Sequence, residues 1–203
     1  MKTPAIVIPE GASQVLLHAC CAPCSSAIVE WMTANGVQPT IFYYNPNIFP
    51  REEYEIRKQE SKRHADSLGI RWIDGDYDHD LWLSEVCELS ANSTDEERQH
   101  CAMAHEPERG LRCFNCFAMR LTAAAHETRR QGLTFFTTTL ASSRWKSIEQ
   151  IAAAGLEAQK AVPGTVFWAQ NWRKGGLYER RNYLLRHYGF YNQKYCGCEY
   201  SRR

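Results

Sequence analysis

The sequence predicts an α/β protein with a doubly wound, mostly parallel β-sheet covered by helices on both faces. Short β-rich runs alternate along the chain with longer helical patterns in the order β-α-β-α-β-α-α-β-α-β-α. Such alternation is typical of right-handed β-α-β units built around a parallel sheet. With 203 residues, of which 44% are hydrophobic, residues 1–203 are long enough to form a single domain around a substantial core.

The predicted strands are apolar or β-branched runs that end in turn residues. They lie at 15–17, 40–44, 70–73, 133–140 and 165–168. Three of the loops that follow them, at 18–25, 45–51 and 139–147, are polar. In a Rossmann-like or HUP-like sheet these loops share the edge formed by the carboxyl ends of the strands, where ligands bind. The sequence therefore predicts one pocket at this edge.

The predicted helices are amphipathic segments with recognisable starts and stops. They lie at 27–33, 52–68, 79–89, 112–132, 148–160 and 177–188. Pro23 and the two serines after it favour the start of the first helix, and Gly69 is a plausible C-terminal cap for the second. The polar segment 91–110 is harder to assign, but Ser93 and Glu96 resemble a capping box that would begin a short helix.

The N-terminal ten residues lack the basic start and apolar core of a signal peptide, and no run has the length of a membrane span. We therefore expect a cytoplasmic protein without membrane association. In a reducing compartment, nine clustered cysteines indicate metal binding or redox catalysis rather than structural disulfides.

Charge is distributed unevenly along the chain. Residues 1–100 hold 8 Lys and Arg against 16 Asp and Glu, whereas residues 101–203 hold 16 against 7. The basic half carries the pairs Arg129-Arg130, Arg173-Lys174, Arg180-Arg181 and Arg202-Arg203, interleaved with Trp168, Trp172, Tyr178, Tyr183, Tyr188 and Tyr191. Basic groups with stacking aromatics are typical of an RNA-binding face. The alternative is an ordinary helix surface with core aromatics.

Four cysteines form a plausible thiolate ligand set. Cys20 and Cys21 follow the first strand, and Cys113 and Cys116 lie one turn apart at a helix start. Four thiolates can hold zinc or an iron–sulfur cluster. Adjacent ligands are awkward for tetrahedral zinc, and a cluster accommodates them better because each cysteine can bind a different iron.

The remaining cysteines raise separate questions. Cys24 completes a Cys-x-x-Cys with Cys21 that resembles a thioredoxin-type redox motif. Cys196-Gly-Cys198 could form a small, strained and easily reduced disulfide suited to electron relay, or remain two thiols in a tail. Cys87 and Cys101 lie near two histidines, but their spacing matches no compact metal motif, so a mobile loop near the site is the favoured interpretation of that segment.

Five motifs in the same order resemble the QueH-type epoxyqueuosine reductase family. They are Leu-Leu-His-Ala-Cys-Cys-Ala-Pro-Cys-Ser at 16–25, Tyr-Asn-Pro-Asn-Ile at 44–48, Arg-Cys-Phe-Asn-Cys-Phe-Ala-Met-Arg-Leu at 112–121, Phe-Thr-Thr-Thr-Leu at 136–140 and Tyr-Cys-Gly-Cys at 195–198. The resemblance implies reduction of epoxyqueuosine at the wobble position of tRNA to queuosine, the last step of queuosine biosynthesis.

The resemblance also implies a 4Fe-4S cluster and a redox-active cysteine pair, without cobalamin. Carried onto this chain, the cluster ligands are Cys20, Cys21, Cys113 and Cys116, and the redox disulfide joins Cys196 to Cys198. The role of Cys24 stays open: it could replace one of the four ligands or stand beside an additional iron.

Two other functions use the same residues. A zinc-stabilised RNA-binding module without catalysis would need the same cysteines and the same basic half. A metal-free thiol–disulfide oxidoreductase would use Cys21 and Cys24 and leave Cys113 and Cys116 without a role. In the reductase, an electron donor of unknown identity is required, and His18, beside the cysteines, is a candidate proton donor by position.

Overall fold

A computed structural model describes residues 6–90 and 92–202 and contains a five-stranded sheet in which every strand pairing is parallel. The strand order is β3-β2-β1-β4-β5. The strands are β1 (Gln14–His18), β2 (Gln38–Tyr43), β3 (Trp72–Asp74), β4 (Phe135–Thr138) and β5 (Val166–Phe167). The predicted α/β fold with a parallel sheet is therefore confirmed.

Strand β1 lies at the centre of the sheet. Val15, Leu16 and Leu17 are fully buried, which explains why the strand is a continuous apolar run rather than an alternating one. The chain winds from β1 through β2 to β3 in one direction, and from β4 to β5 in the other. The carboxyl ends of β1 and β4 consequently flank the switch point where doubly wound sheets bind ligands.

Eight helices surround the sheet in the described part of the chain. They are α1 (Ala22–Ala34), α2 (Arg51–Ser67), α3 (His79–Cys87), α4 (Asp95–His100), α5 (Ala102–His105), α6 (Leu111–Arg130), α7 (Ile148–Ala161) and α8 (Leu177–His187). Helix α1 packs against α2 and α8, and α6 packs against α7 and α3. These two groups match the right-handed crossovers that place helices on opposite faces of a parallel sheet.

The fourth strand is shorter than the sequence predicts. β4 ends at Thr138, and a 3-10 turn follows at Thr139–Ser142. The Thr138 hydroxyl accepts a hydrogen bond from the backbone N–H of Leu140 at 3.1 Å, which starts the turn. Thr138 is also the last residue of β4 that pairs with β1, opposite His18. The threonine-rich run therefore leaves the sheet where its pairing partner ends.

The capping box before α4 is displaced by one residue from its predicted position. Thr94, not Ser93, caps the helix: its hydroxyl accepts from the Glu97 N–H at 3.2 Å, and the Glu97 carboxylate accepts from the Thr94 N–H at 2.7 Å. The Ser93 hydroxyl instead accepts from the N–H of Ser90 at 2.9 Å. Ser93 with Glu96 and Thr94 with Glu97 both fit the capping-box pattern. Because the Ser93 hydroxyl is used in the turn with Ser90, Thr94 is the residue that caps the helix.

Two aromatics of the expected RNA-binding face belong to the core. Trp168 and Trp172 are 5% and 1% exposed, and their rings meet edge to face at 5.0 Å. They pack beneath α1, so they cannot stack on a base. Tyr183 and Tyr188 remain exposed, and Arg203 lies outside the described residues.

Among the described residues, no helix combines the length and the apolar character that crossing a bilayer requires.

Candidate functional site

Three cysteines cluster in the loop that joins β1 to α1. The Sγ atoms of Cys20, Cys21 and Cys24 all lie within 4.8 Å of one another, and all three side chains are buried. Cys21 is the N-cap of α1, with Pro23 in the first turn. A helix N-terminus stabilises negative charge, so this position favours thiolates. We call these three residues the cysteine triad.

Loops from three strands meet around the triad, as the sequence predicts. The Cys20 N–H donates to the Thr139 hydroxyl at 3.1 Å, and that hydroxyl lies 3.4 Å from the Cys20 sulfur. From the loop after β2, the Asn45 side-chain amide donates to the Ala19 carbonyl at 2.9 Å. These contacts fix the backbone of the triad between the ends of β1, β2 and β4.

The three thiols of the triad differ in how readily they ionise. Hydrogen bonds from Cys21 and Cys24 hold the pKa of Cys20 well below its usual range, and Lys146 and Arg120 add to that effect. Burial raises the pKa of Cys21 far above its ordinary value. Because a second thiolate is costly so close to the first, the triad needs a cation to ionise completely. A bound metal ion or cluster supplies such a cation.

Two further cysteines face this region from α6. Cys116 is buried, Cys113 is half-buried, and they lie one turn apart as predicted. The buried Arg120 guanidinium approaches the Cys116 sulfur at 4.0 Å and also donates to the Asn45 side-chain oxygen. Because Asn45 also bonds to the loop that precedes Cys20, this network connects α6 to the triad.

The C-terminal tail lies across the same edge of the sheet. The buried Arg57 guanidinium donates to the carbonyls of Tyr195 at 3.3 Å and Cys196 at 3.1 Å. The Phe49 N–H donates to the Gly197 carbonyl at 2.9 Å. Gly197 has a φ of 137°, and a Cβ there would lie 3.0 Å from the Ile48 side chain. Only glycine fits this close approach.

The tail brings polar and sulfur atoms to the other cysteines. The Gln193 side-chain amide lies 3.1 Å from the Cys21 sulfur. Cys198 is buried in a cluster that includes Cys116, and burial, followed by the charge of Cys196, raises its pKa to about 12. Burial raises the pKa of Cys113, and Cys196 adds to that effect. We call Cys113, Cys116, Cys196 and Cys198 the α6–tail cysteines; Cys196 and Cys198 are free thiols here.

Comparison with known proteins identifies the family. The family model described as "Epoxyqueuosine reductase QueH" matches residues 15–203. The chain belongs to the QueH family. The match spans both the triad and the α6–tail cysteines, and it confirms the resemblance seen in the five sequence motifs.

Curated QueH relatives align along nearly the whole chain. An epoxyqueuosine reductase QueH from Histophilus somni is 42% identical over 200 residues, which cover 98% of this chain and 76% of the relative. The Haemophilus influenzae protein of the same name is 41% identical, covering 97% and 74%. The corresponding Thermotoga maritima protein is 32% identical, covering 92% and 89%.

The site of this QueH protein suits a metal with soft ligands. Thiolates are the ligands that zinc and iron–sulfur clusters prefer, and the triad offers three buried sulfurs close enough to approach one centre. Two cations, Arg120 and Lys146, lower the pKa of Cys20 and offset negative charge. The family and the triad together indicate a metal cofactor.

Compared with the ligand set implied by the resemblance, the triad contains Cys24 and does not contain Cys113 or Cys116. Both sets share Cys20 and Cys21. The sulfur atoms of the α6 cysteines do not lie within 4.8 Å of all three triad sulfurs. In the described structure, the sulfur grouped with those of Cys20 and Cys21 is therefore that of Cys24.

His18 is a structural residue rather than a poised acid. It is completely buried, with Nδ1 at 2.8 Å from the Thr138 hydroxyl and Nε2 at 3.0 Å from the Tyr44 carbonyl. Burial, with the nearby Arg120 charge, lowers its pKa to about 3. The neutral ring joins the ends of β1, β2 and β4, and its Nε2–H donates to the Tyr44 carbonyl. It therefore lacks the additional proton that an imidazolium would donate near neutral pH.

Sequence reasoning missed two cations of the site. Arg120 follows Cys116 by one helical turn, and this spacing could have revealed it. Lys146 lies in the polar loop after β4 and is half-buried. Burial disfavours its charged form, but electrostatic attraction to the sulfur atoms of Cys196, Cys20 and Cys24 outweighs that cost and raises its pKa. The sequence signal that could have identified Lys146 was its position in a loop at the carboxyl ends of the strands.

Cys87 and Cys101 pack beside the site. Cys101 donates to the Cys87 carbonyl at 2.9 Å, and burial raises the pKa of the Cys87 thiol. Neither residue belongs to a group of three metal-ligating side chains within the described part of the chain. They join Cys116 and Cys198 in a buried cluster, which indicates a packing role.

Proposed function

We propose that this protein reduces the epoxide of epoxyqueuosine in tRNA to give queuosine. Membership of the QueH family, whose relatives carry the name epoxyqueuosine reductase, supports the reaction. The observation that carries it is the convergence of the triad and the α6–tail cysteines at the sheet edge where doubly wound folds bind ligands.

We assign a 4Fe-4S cluster to Cys20, Cys21, Cys113 and Cys116. Cys20 is held between the ends of β1 and β4 through Thr139, and Cys116 is connected to the loop before Cys20 through Arg120 and Asn45. Cys113 lies one helical turn before Cys116. When bound, such a cluster supplies single electrons at a fixed potential. Cys24 lies beside Cys20 and Cys21 and is either an alternative ligand or the holder of an additional iron.

The reaction needs two electrons and two protons. Both carbon–oxygen bonds of the epoxide break, the carbon–carbon double bond forms, and the oxygen leaves as water. The dithiol of Cys196 and Cys198 can supply both the electrons and the protons. Its two S–H groups give up two electrons and two protons, and the two sulfurs form a disulfide. An electron donor of unknown identity then returns the disulfide to the dithiol.

Other residues of the chain hold the reacting groups in place. Arg57 fixes the carbonyls of Tyr195 and Cys196, so the dithiol segment is anchored beside the metal-binding cysteines. Lys146 places a positive charge near Cys20, Cys24 and Cys196. A cation there stabilises the thiolates of the site and the negative charge that develops on the leaving oxygen.

Metal analysis of anaerobically purified protein tests the cofactor. We expect about four irons with matching sulfide and a broad brown absorption, since four thiolates suit a cubane cluster. Cys113→Ser should lose the cluster, whereas Cys24→Ser should keep it and lose at most one iron. Stoichiometric zinc without iron from iron-replete cells would refute the cluster and favour the zinc-stabilised RNA-binding module.

The two cysteine variants also separate the ligand sets. If Cys24→Ser loses all iron and Cys113→Ser keeps it, the triad is the ligand set and our assignment is wrong. The reaction itself is tested with tRNA that carries epoxyqueuosine, by mass spectrometry of the nucleosides after incubation with a chemical reductant. An active protein without metal would instead favour the thiol–disulfide mechanism at Cys21 and Cys24.

A further inference from the structure

A basic cavity lies beside the metal-binding cysteines, at the start of α7 and the loop before it. Its volume is about 520 Å³. Four cationic side chains and one carboxylate line it: Arg109, Arg144, Lys146, Arg173 and Glu149. The first three residues of α7 also line it, and helix N-termini favour anions. The cavity therefore suits an anionic ligand.

The single carboxylate of this cavity does not offset its four positive charges. Among the described residues, none of its four cations lies within 4.0 Å of a carboxylate oxygen in an ion pair. Glu149 accepts a hydrogen bond from the Ser147 hydroxyl at 2.7 Å. By contrast, Arg180 on α8 forms a 2.8 Å ion pair with Glu30. Arg180 is therefore compensated by a carboxylate, whereas the four cations of the cavity have no ion-pair partner among the described residues.

Hydrogen bonds to the loop fix the cations of the cavity. Arg109 donates to the carbonyls of Trp145 at 3.0 Å and Arg144 at 3.1 Å, and Arg173 donates to the Lys146 carbonyl at 2.7 Å. The Arg173 Nε–H is buried without a partner. These guanidinium groups are held in place before any ligand arrives, and they retain donors that the protein does not use.

Two contacts join the cavity to the metal-binding cysteines. The Arg109 backbone N–H donates to the Cys113 sulfur at 3.4 Å. Lys146 lines the cavity and interacts electrostatically with Cys20, Cys24 and Cys196. An anion in the cavity therefore lies next to the place where the epoxide must be presented. In RNA, the anions next to any nucleoside are its own backbone phosphates.

We propose that this cavity binds a backbone phosphate of the substrate RNA, adjacent to the nucleoside that is reduced. The proposal rests on the proposed function, and it names the contact that positions the substrate. Arg144 lies over the rings of Trp145 and Tyr178 at 5.8 and 5.3 Å, and Trp145 is 66% exposed at the rim. Proteins that bind single-stranded RNA loops typically place an exposed aromatic side chain beside a phosphate site, and an unpaired base stacks on that side chain.

The test measures the affinity for an unmodified anticodon stem–loop RNA over a range of salt concentrations. Arg144→Gln removes one exposed charge that makes no hydrogen bond within the described structure. We expect affinity at low salt to fall about two- to fivefold, and the slope of log K against log salt to become shallower by about one. Arg144→Lys should restore the slope because it keeps the charge. Arg180→Gln is the matched control and should leave the slope unchanged.

Each outcome decides the proposal. An unchanged slope in Arg144→Gln, or an equal change in Arg180→Gln, would overturn it, since binding would then depend on diffuse surface charge. Inorganic phosphate should compete with the RNA only weakly; strong competition together with an Arg144-independent slope would identify a site for free phosphate instead.

The same variants separate this proposal from the reductase reaction. Wild-type protein is tested in parallel on tRNA with epoxyqueuosine. An active wild type with an Arg144-independent slope refutes only the phosphate site. An inactive wild type with an Arg144-dependent slope keeps the phosphate site and refutes the reaction. Circular dichroism and iron content of each variant confirm that the fold is intact.

Discussion

The cysteine triad and the α6–tail cysteines reach the same edge of the sheet by different means. The three cysteines of the triad lie within five consecutive positions, and the end of β1 and the start of α1 bring their sulfurs together. The α6–tail cysteines come from two distant segments, and one of these is held by the buried Arg57 rather than by regular structure. A local turn builds the first group, and tertiary contacts assemble the second.

This difference suggests a division of labour within the site. The triad is fixed by strand ends and by Thr139, as a metal site requires. The tail depends on a few side-chain contacts, which suits a pair that must exchange electrons with both the site and an external donor. Variants that affect one group and spare the other test this division.

Replacing both tail cysteines should have the largest effect on activity. In Cys196→Ser with Cys198→Ser, multiple turnover should fall to the background rate, because the dithiol no longer supplies electrons and protons. Iron content and RNA affinity should stay at wild-type levels, as neither thiol is assigned as a ligand. Iron loss would make the pair ligands, and full turnover would show that the pair is dispensable.

Breaking the anchor of the tail should cost the most stability. Arg57 is 1% exposed and pairs with Glu53 at 2.6 Å. Arg57→Leu leaves a buried carboxylate and two tail carbonyls without their partner, and we expect a loss of about 3–5 kcal/mol in the free energy of unfolding by urea. The tail should become more reactive at Cys196 in peptide-resolved alkylation, while Cys20 and Cys21 stay protected.

An exposed pair on the same helix provides the control for Arg57. Arg51→Leu removes a 3.8 Å ion pair with Glu55, in which the side chains are 71% and 37% exposed. Such surface pairs contribute about 0–1 kcal/mol. Equal losses in the two variants would contradict a special anchoring role for Arg57.

A methyl group at Gly197 should have a smaller effect that is confined to the tail. Gly197→Ala combines an unfavourable φ with contacts at 3.0 Å to Ile48 and 3.1 Å to Asn47, so we expect a loss of about 2–3 kcal/mol in unfolding free energy. Turnover should fall while the cluster absorption persists. Gly189→Ala is the control: it has a φ of 61° and open space around its Cβ, and should cost about 1–2 kcal/mol without affecting turnover.

The sequence by itself determined the parallel sheet, the limits of α7 and α8 to within one residue, and the convergence of three polar loops. Each of these depends on local patterns: apolar runs, caps and turn residues. The position of the triad was also predictable, because its cysteines are neighbours in the chain and follow a buried strand. The five motifs carried enough information to identify the family.

Tertiary structure alone decided which charges and rings are available. Trp172 is in the core and Trp145 is exposed, although both are tryptophans among basic residues. Glu30 neutralises Arg180, whereas Arg144 has no such partner in the described structure. Lys146 became part of the site because the end of β4 lies next to β1. Burial and charge pairing depend on residues distant in the chain, and a sequence pattern does not specify which of these will meet.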